Sequence, residues 1–325
     1  MTLRQLFKTI VAVFLLTAAS WSQSPPNADE LIKAINNRTD LWALDRPFHL
    51  EADFVTQLDK PETGHMAWKY QVRGKWKQEI SLAKYQQITV QNGDEEFTAR
   101  NLSYSPLAMR ELKQLFVPRR AEANKWEVKT TRQEEHGTID CVELRRIPQD
   151  NWKREVCLTA DTKQVISDES KNDFESYRSE YSDYEPFLGK EYPRTLKYFR
   201  TGSPVLTVVV TALEQGSYAD ADFIPPANAI VRKKCLNMIP PKVIKDPTPT
   251  YPRAERNKHL EGTSIVSLTV LPDGSVDDVH LIGSSYSGMN DVTQQIVREW
   301  KFKPAMCGSE PVATDIEVEV NFRLR

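Results

Sequence analysis

The stretch from about residue 240 to residue 325 constrains this chain more tightly than any other, because its apolar period changes from two to 3.6 and back to two. Val266, Leu268 and Val270 alternate with Ser267, Thr269 and Leu271, Pro272-Asp273-Gly274 turns the chain, and Val279 and Leu281 alternate on the return. Period-2 alternation around an Asp-Gly turn predicts a β-hairpin, since glycine accepts the positive φ such a turn needs. Met289, Val292, Ile296 and Trp300 then fall at i, i+3, i+7 and i+11, the stripe of an amphipathic helix that Asn290 or Asp291 is placed to cap.

The final residues alternate again. Ile316, Val318 and Val320 share a side with Phe322, whereas Asp315, Glu317, Glu319 and Asn321 share the other. The economical packing is one helix on one face of a three-stranded antiparallel sheet, ββαβ in order. Its expected core is Val266, Leu268, Val270, Leu281, Val292, Ile296, Trp300, Ile316, Val318 and Val320.

Several anchors mark a family. Tyr251-Pro252 precedes a short helix beginning Arg253-Ala254-Glu255-Arg256, Glu261-Gly262 opens the first strand, Pro272-Asp273-Gly274-Ser275-Val276 makes the turn, and Trp300-Lys301-Phe302-Lys303-Pro304-Ala305 closes the helix. In this order and spacing they resemble the C-terminal domain of TonB, the periplasmic energy transducer. The resemblance implies a partner, a segment of a TonB-dependent outer-membrane receptor or another envelope protein, that adds as a strand beside the last strand. It thereby assigns binding to Val312, Thr314, Asp315, Ile316, Glu317, Val318, Glu319, Val320, Asn321 and Phe322, with Tyr251 and Pro252 as further candidates. An ordinary edge strand guarded by its acids accounts for the same pattern. TonB proper meets its inner-membrane motor through a membrane-embedded histidine, and this chain has no histidine before His49. Motor coupling is therefore the part of the resemblance this sequence supports least.

The 325 residues suffice for two domains, and the formal net charge of -2, without a basic run, argues against nucleic-acid binding. Arg4 and Lys8 precede an apolar run from Ile10 to Ala19, followed by the small residues Ser20 and Ser22. This predicts a signal peptide over 1–22 rather than a retained membrane anchor, and hence a periplasmic protein. Four cysteines in an exported chain suggest two disulfides. Cys141 and Cys157 sit on segments reading as adjacent strands, and Cys235 with Cys307 would staple the lead-in onto the C-terminal domain; buried free thiols are the alternative.

Residues 23–224 read as a β-rich domain. Alternating segments such as 48–54, 65–73, 76–82, 86–92 and 205–213 recur without the spacing of βαβ units, which implies a large curved antiparallel sheet or half-barrel. A helix is expected at Ala28–Asn36, and a second after Ser105 as cap with Pro106 at its first position. Signal peptide, strand order, size and helix placement resemble the LolA-like lipoprotein carriers. That implies a concave apolar face able to hold a lipid, whereas core packing is the plainer reading of Trp42, Phe54, Trp68, Tyr70, Trp76 and Tyr85. A proline-rich linker covers 225–247, overlapping the C-terminal domain at 240–325. The whole is α+β: a predominantly antiparallel β domain followed by a small ββαβ domain.

His49, His65, His136, His259 and His280 are scattered without metal-ligand spacing, and no nucleophile elbow or phosphate-binding loop occurs. His280 is expected in solvent, and the acidic, tyrosine-rich run from Tyr177 to Glu185 is expected to be a solvated loop. No catalytic residue, cofactor or metal is expected. Strand-addition binding, lipid or lipoprotein carriage with the C-terminal domain as docking module, and a structural envelope role are the three functional readings.

Overall fold

Two antiparallel meanders join into one sheet. Phe48–Thr56, Glu62–Val72, Lys75–Leu82, Tyr85–Asn92 and Glu95–Arg100 form the first; Trp126–Glu134, Ile139–Arg146, Lys153–Thr159, Val165–Lys171, Ser176–Phe187, Lys190–Arg200 and Ser203–Gln215 form the second. They meet where Phe48–Thr56 pairs with Ser203–Gln215. Ile230–Val231 adds outside Glu95–Arg100, giving a 13-stranded curved sheet whose two end strands are not joined, so no barrel closes. This computed structural model describes residues 26–324 except 39, 59, 123, 174, 232–234 and 236. The expected signal peptide over 1–22 lies outside the described residues.

Two helices cover one face of the sheet. Helix α1 (Ala28–Asn37) is capped by Asn27, whose side-chain oxygen accepts from the N–H groups of Asp29 and Glu30, and it buries Leu31 and Ile35. Helix α2 (Leu107–Leu115) buries Leu107, Leu112 and Leu115. The inward side chains Phe54, Trp68, Tyr70, Trp76 and Tyr85 are buried in the same core, where Trp42 packs on Trp68 and Trp76. These aromatics are core. Arg154 and Asp168, each about 1% exposed, form a buried pair (Nη2–Oδ2 2.9 Å), and Arg154 also donates to the carbonyls of Arg119 and Arg120. That bond set ties the segment after α2 onto the sheet.

Both disulfides are present. Cys141 faces Cys157 directly across neighbouring strands (Cα–Cα 4.1 Å), the close spacing of a non-hydrogen-bonded antiparallel pair. Cys235 bonds Cys307 across 72 positions of sequence.

The C-terminal domain follows the expected order with three refinements. Helix α3 is the short Arg253–Asn257; strands Gly262–Val270 and Val276–Ser284 form the hairpin; helix α4 covers Asn290–Val297; and the last strand is Thr314–Phe322. First, neither Asn290 nor Asp291 caps α4, because a 3-10 turn at Ser287–Met289 feeds straight into it. Second, α4 buries Thr293 and Val297 completely and Val292 and Ile296 only partly; the Thr293 hydroxyl donates to the Met289 carbonyl (2.7 Å), which hides its polarity. Third, the stretch before the last strand is a separate short hairpin, Ala305–Cys307 with Glu310–Val312, so the strand breaks at Ala313. The hairpin glycine Gly274 (φ +80°) is required twice over, since a Cβ there would collide with the Phe302 carbonyl.

The proline-rich stretch is not free of regular structure. Met238–Ile239 pairs with Ala305–Cys307 and Lys242–Lys245 with Lys301–Lys303, so this part of the lead-in belongs to the C-terminal domain. Pro240 and Pro241 separate the two short strands, where a missing N–H costs no ladder bond.

Candidate functional site

In the C-terminal sheet the strand order is Val276–Ser284, Gly262–Val270, Thr314–Phe322, so among the described residues the last strand has one strand neighbour and an open backbone edge. Its register runs from Thr314 opposite Val270 to Phe322 opposite Gly262. Ile316, Val318, Val320 and Phe322 pack toward α4 with Val266, Leu268 and Val270. Asp315, Glu317, Glu319 and Asn321 take the opposite, polar face, as alternation requires.

That polar face is partly occupied by the N-terminal domain. Asp315 accepts from Thr269 Oγ1 (2.7 Å) and pairs with Arg110 of α2 (2.5 Å), and Glu317 pairs with Arg200 (2.5 Å) at the end of Lys190–Arg200. Glu319 remains exposed, and Asn321 accepts from Thr263 Oγ1 (2.8 Å). Of the expected binding residues, Asp315 and Glu317 therefore serve domain contact, while Val320 and Phe322 are core. Val312 belongs to the short hairpin, and Thr314 begins the paired strand. Tyr251 stacks edge-on against Phe322 (5.6 Å between ring centres) and donates to the Leu260 carbonyl, and Pro252 starts α3. Both fasten the lead-in to the core.

A second contact comes from the hairpin. Its return strand carries a bulge between the Ser267 and Thr269 pairings, and within it Asp278 adopts φ +50°. The Asp278 carboxylate thus reaches α2, where Oδ2 accepts the Leu107 N–H (2.7 Å). Ser105, expected as the α2 cap, instead accepts a hydrogen bond from Tyr85, and Pro106 occupies the cap position without a side-chain bond. His280 is not in solvent: it is 17% exposed and bonds Asp278 (2.8 Å). The run expected as a loop from Tyr177 to Glu185 is the strand Ser176–Phe187, with Ser179 and Tyr181 buried.

Between the domains lies a cleft of about 770 Å³. Its walls are Arg110, Glu111, Lys113 and Gln114 of α2, Tyr177, Tyr181, Tyr198 and Arg200 of the large sheet, and Asp315, Ile316 and Glu317 of the last strand. Glu111 is 6% exposed, and burial pushes its carboxyl above the usual range against the opposing pull of Arg200. Sequence reasoning missed Arg110, Glu111, Arg200 and Asp278, whose partners lie up to 171 positions away. Only the break in alternation at Asp277-Asp278 hinted at the bulge.

Fold and edge together define a two-domain, mostly antiparallel β protein presenting a small sheet with an open final strand. Residues 247–324 match the family model for the Gram-negative bacterial TonB protein C-terminal. Protein TonB of Pseudomonas aeruginosa is 33% identical over 102 residues, 31% of this chain and 25% of the relative. Protein TonB of Vibrio cholerae is 29% identical over 77 residues, 23% of this chain and 32% of the relative. The chain thus spans between a quarter and a third of the length of these relatives. A solved LolA superfamily protein from Nitrosomonas europaea is similar to 61% of this chain over 98% of its own length, at 11% identity and a TM-score of 0.39.

Proposed function

We propose that this is a periplasmic binding protein whose C-terminal domain captures an extended segment of a TonB-dependent outer-membrane receptor by strand addition along Thr314–Phe322. The observation that carries this reading is the open edge of the last strand, which has a partner strand on one side only. An unpaired edge offers alternating N–H and C=O groups that an extended chain satisfies. The family match and the signal-like N-terminal sequence support an envelope location. Carriage of a lipid in the N-terminal domain is the less favoured reading, because the aromatic side chains of the inner face are packed into the core. The reading includes no catalysis, cofactor or metal.

A photo-crosslinking amino acid at position 319, exposed on the last strand, tests the proposal in intact cells. Capture of a receptor segment from position 319, and not from the exposed position 299 after α4, is the expected result. Equal capture from both positions, or none from 319, overturns it.

A further inference from the structure

The inner end of the interdomain cleft carries more negative charge than its neighbours balance. Arg200, 4% exposed, pairs with Glu317 (2.5 Å) and faces Glu111 (3.6 Å). It also donates to the Tyr177 hydroxyl (3.2 Å), which in turn donates to Glu175 (2.8 Å), and Glu175 lies against Glu317. Three carboxylates converge on one guanidinium. The other cations of the cleft do not make up the difference: Arg110 is held by Asp315 and Asp278, Arg119 by Asp168, and Lys113 stands exposed at the mouth.

The second observation is independent of the count. The Glu111 carboxyl is buried on the cleft wall with the Tyr198 hydroxyl against it, and its Oε2 makes no well-formed hydrogen bond among the described residues. A buried acceptor left unsatisfied is costly, more so when it belongs to an ionisable group. The Tyr198 ring borders the same space, whereas the Tyr177 and Tyr181 rings already carry the guanidinium groups of Arg200 and Arg38.

We propose that the cleft receives a basic side chain, a lysine-type ammonium, carried by the extended segment that pairs with the last strand and bound by Glu111. This rests on the strand-addition reading, because Ile316 and Glu317 of the open-edged strand form one wall of the cleft. Side chains of an added strand alternate between faces, so every second one on the polar side points toward this space.

The test uses the full chain and two blocked seven-residue threonine–valine peptides, one with lysine at its centre and its twin with norleucine, measured by calorimetry. The lysine peptide should bind about tenfold tighter, as a charge-assisted hydrogen bond warrants, and Glu111→Gln should remove that preference. Equal affinities in the native protein, or a preference undiminished in Glu111→Gln, would overturn the proposal. N-methylation at alternate backbone positions separates the two readings. If it leaves binding unchanged while the lysine preference persists, strand addition fails and the ammonium site stands; binding by neither peptide removes both.

Discussion

The carboxylate of Asp278 caps helix α2 from the other domain, its Oδ2 accepting the Leu107 N–H at 2.7 Å. An anion at a helix N-terminus satisfies an orphan donor and opposes the positive end of the helix dipole. Loss of a capping side chain costs about 1 kcal/mol. Asp278→Ala should therefore lower stability by about that amount and speed amide exchange in the first turn of α2. Asp278→Asn, which tolerates the same backbone and keeps an acceptor, should cost only a fraction of it. Equal exchange in both variants and the parent would show the cap to be idle.

The entry to helix α4 offers a contrast between neighbouring positions. Met289 is fully buried and Val292 only partly. Met289→Ala should cost about 2–5 kcal/mol as a large-to-small core change, and Val292→Ala clearly less, both by urea unfolding. Trp300→Ala, beside Phe302, should cost about 3–5 kcal/mol.

Two buried acids should bend the stability curve in opposite directions. Burial works to raise Asp168, but Arg119 and Arg154 outweigh it and hold the carboxyl below its ordinary 3.8. Its contribution is present above that value and is lost as pH falls through the depressed one. Asp168→Asn, which leaves Arg154 buried without its counter-charge, should cost about 3–5 kcal/mol at neutral pH. Glu111 is raised above its ordinary 4.5, chiefly by burial. The folded state then binds the extra proton, and stability falls as pH rises from 4.5 through the raised value. Glu111→Gln should flatten that limb, measured as melting temperature against pH.

The disulfides are separable. Peptide mapping without reductant should return Cys141 with Cys157 and Cys235 with Cys307. Replacing Cys141 and Cys157 by alanine should cost roughly 3 kcal/mol on the chain-entropy estimate. Replacing Cys235 and Cys307 should leave the large sheet intact and raise amide exchange across Met238–Lys245.

What the sequence disclosed were the local features. The Asp-Gly turn, the alternation of Gly262–Val270 and Thr314–Phe322 and the pairing of the four cysteines are each encoded within a short window or by simple counting. Ser176–Phe187 escaped because charged and hydroxylated residues fill its outward positions, and an exposed strand face looks like a loop. The tilt of α4 toward Thr293 and Val297 escaped because a hydroxyl bonded to the preceding turn behaves as apolar. Arg110, Arg200 and Asp278 escaped for a deeper reason. Their chemistry exists only once two separately folded surfaces meet, and no periodicity within either surface records the other.

The Cys235–Cys307 bond determines how the two domains would share a mechanical load. Tension arriving from the large sheet along the main chain reaches Cys235 before the paired strands Met238–Ile239 and Lys242–Lys245. The covalent link passes it directly to Cys307, between α4 and the last strand, and the weak edge pairing of the lead-in never has to unzip. From Cys307 only the short hairpin through Glu310–Val312 separates the pull from Thr314–Phe322.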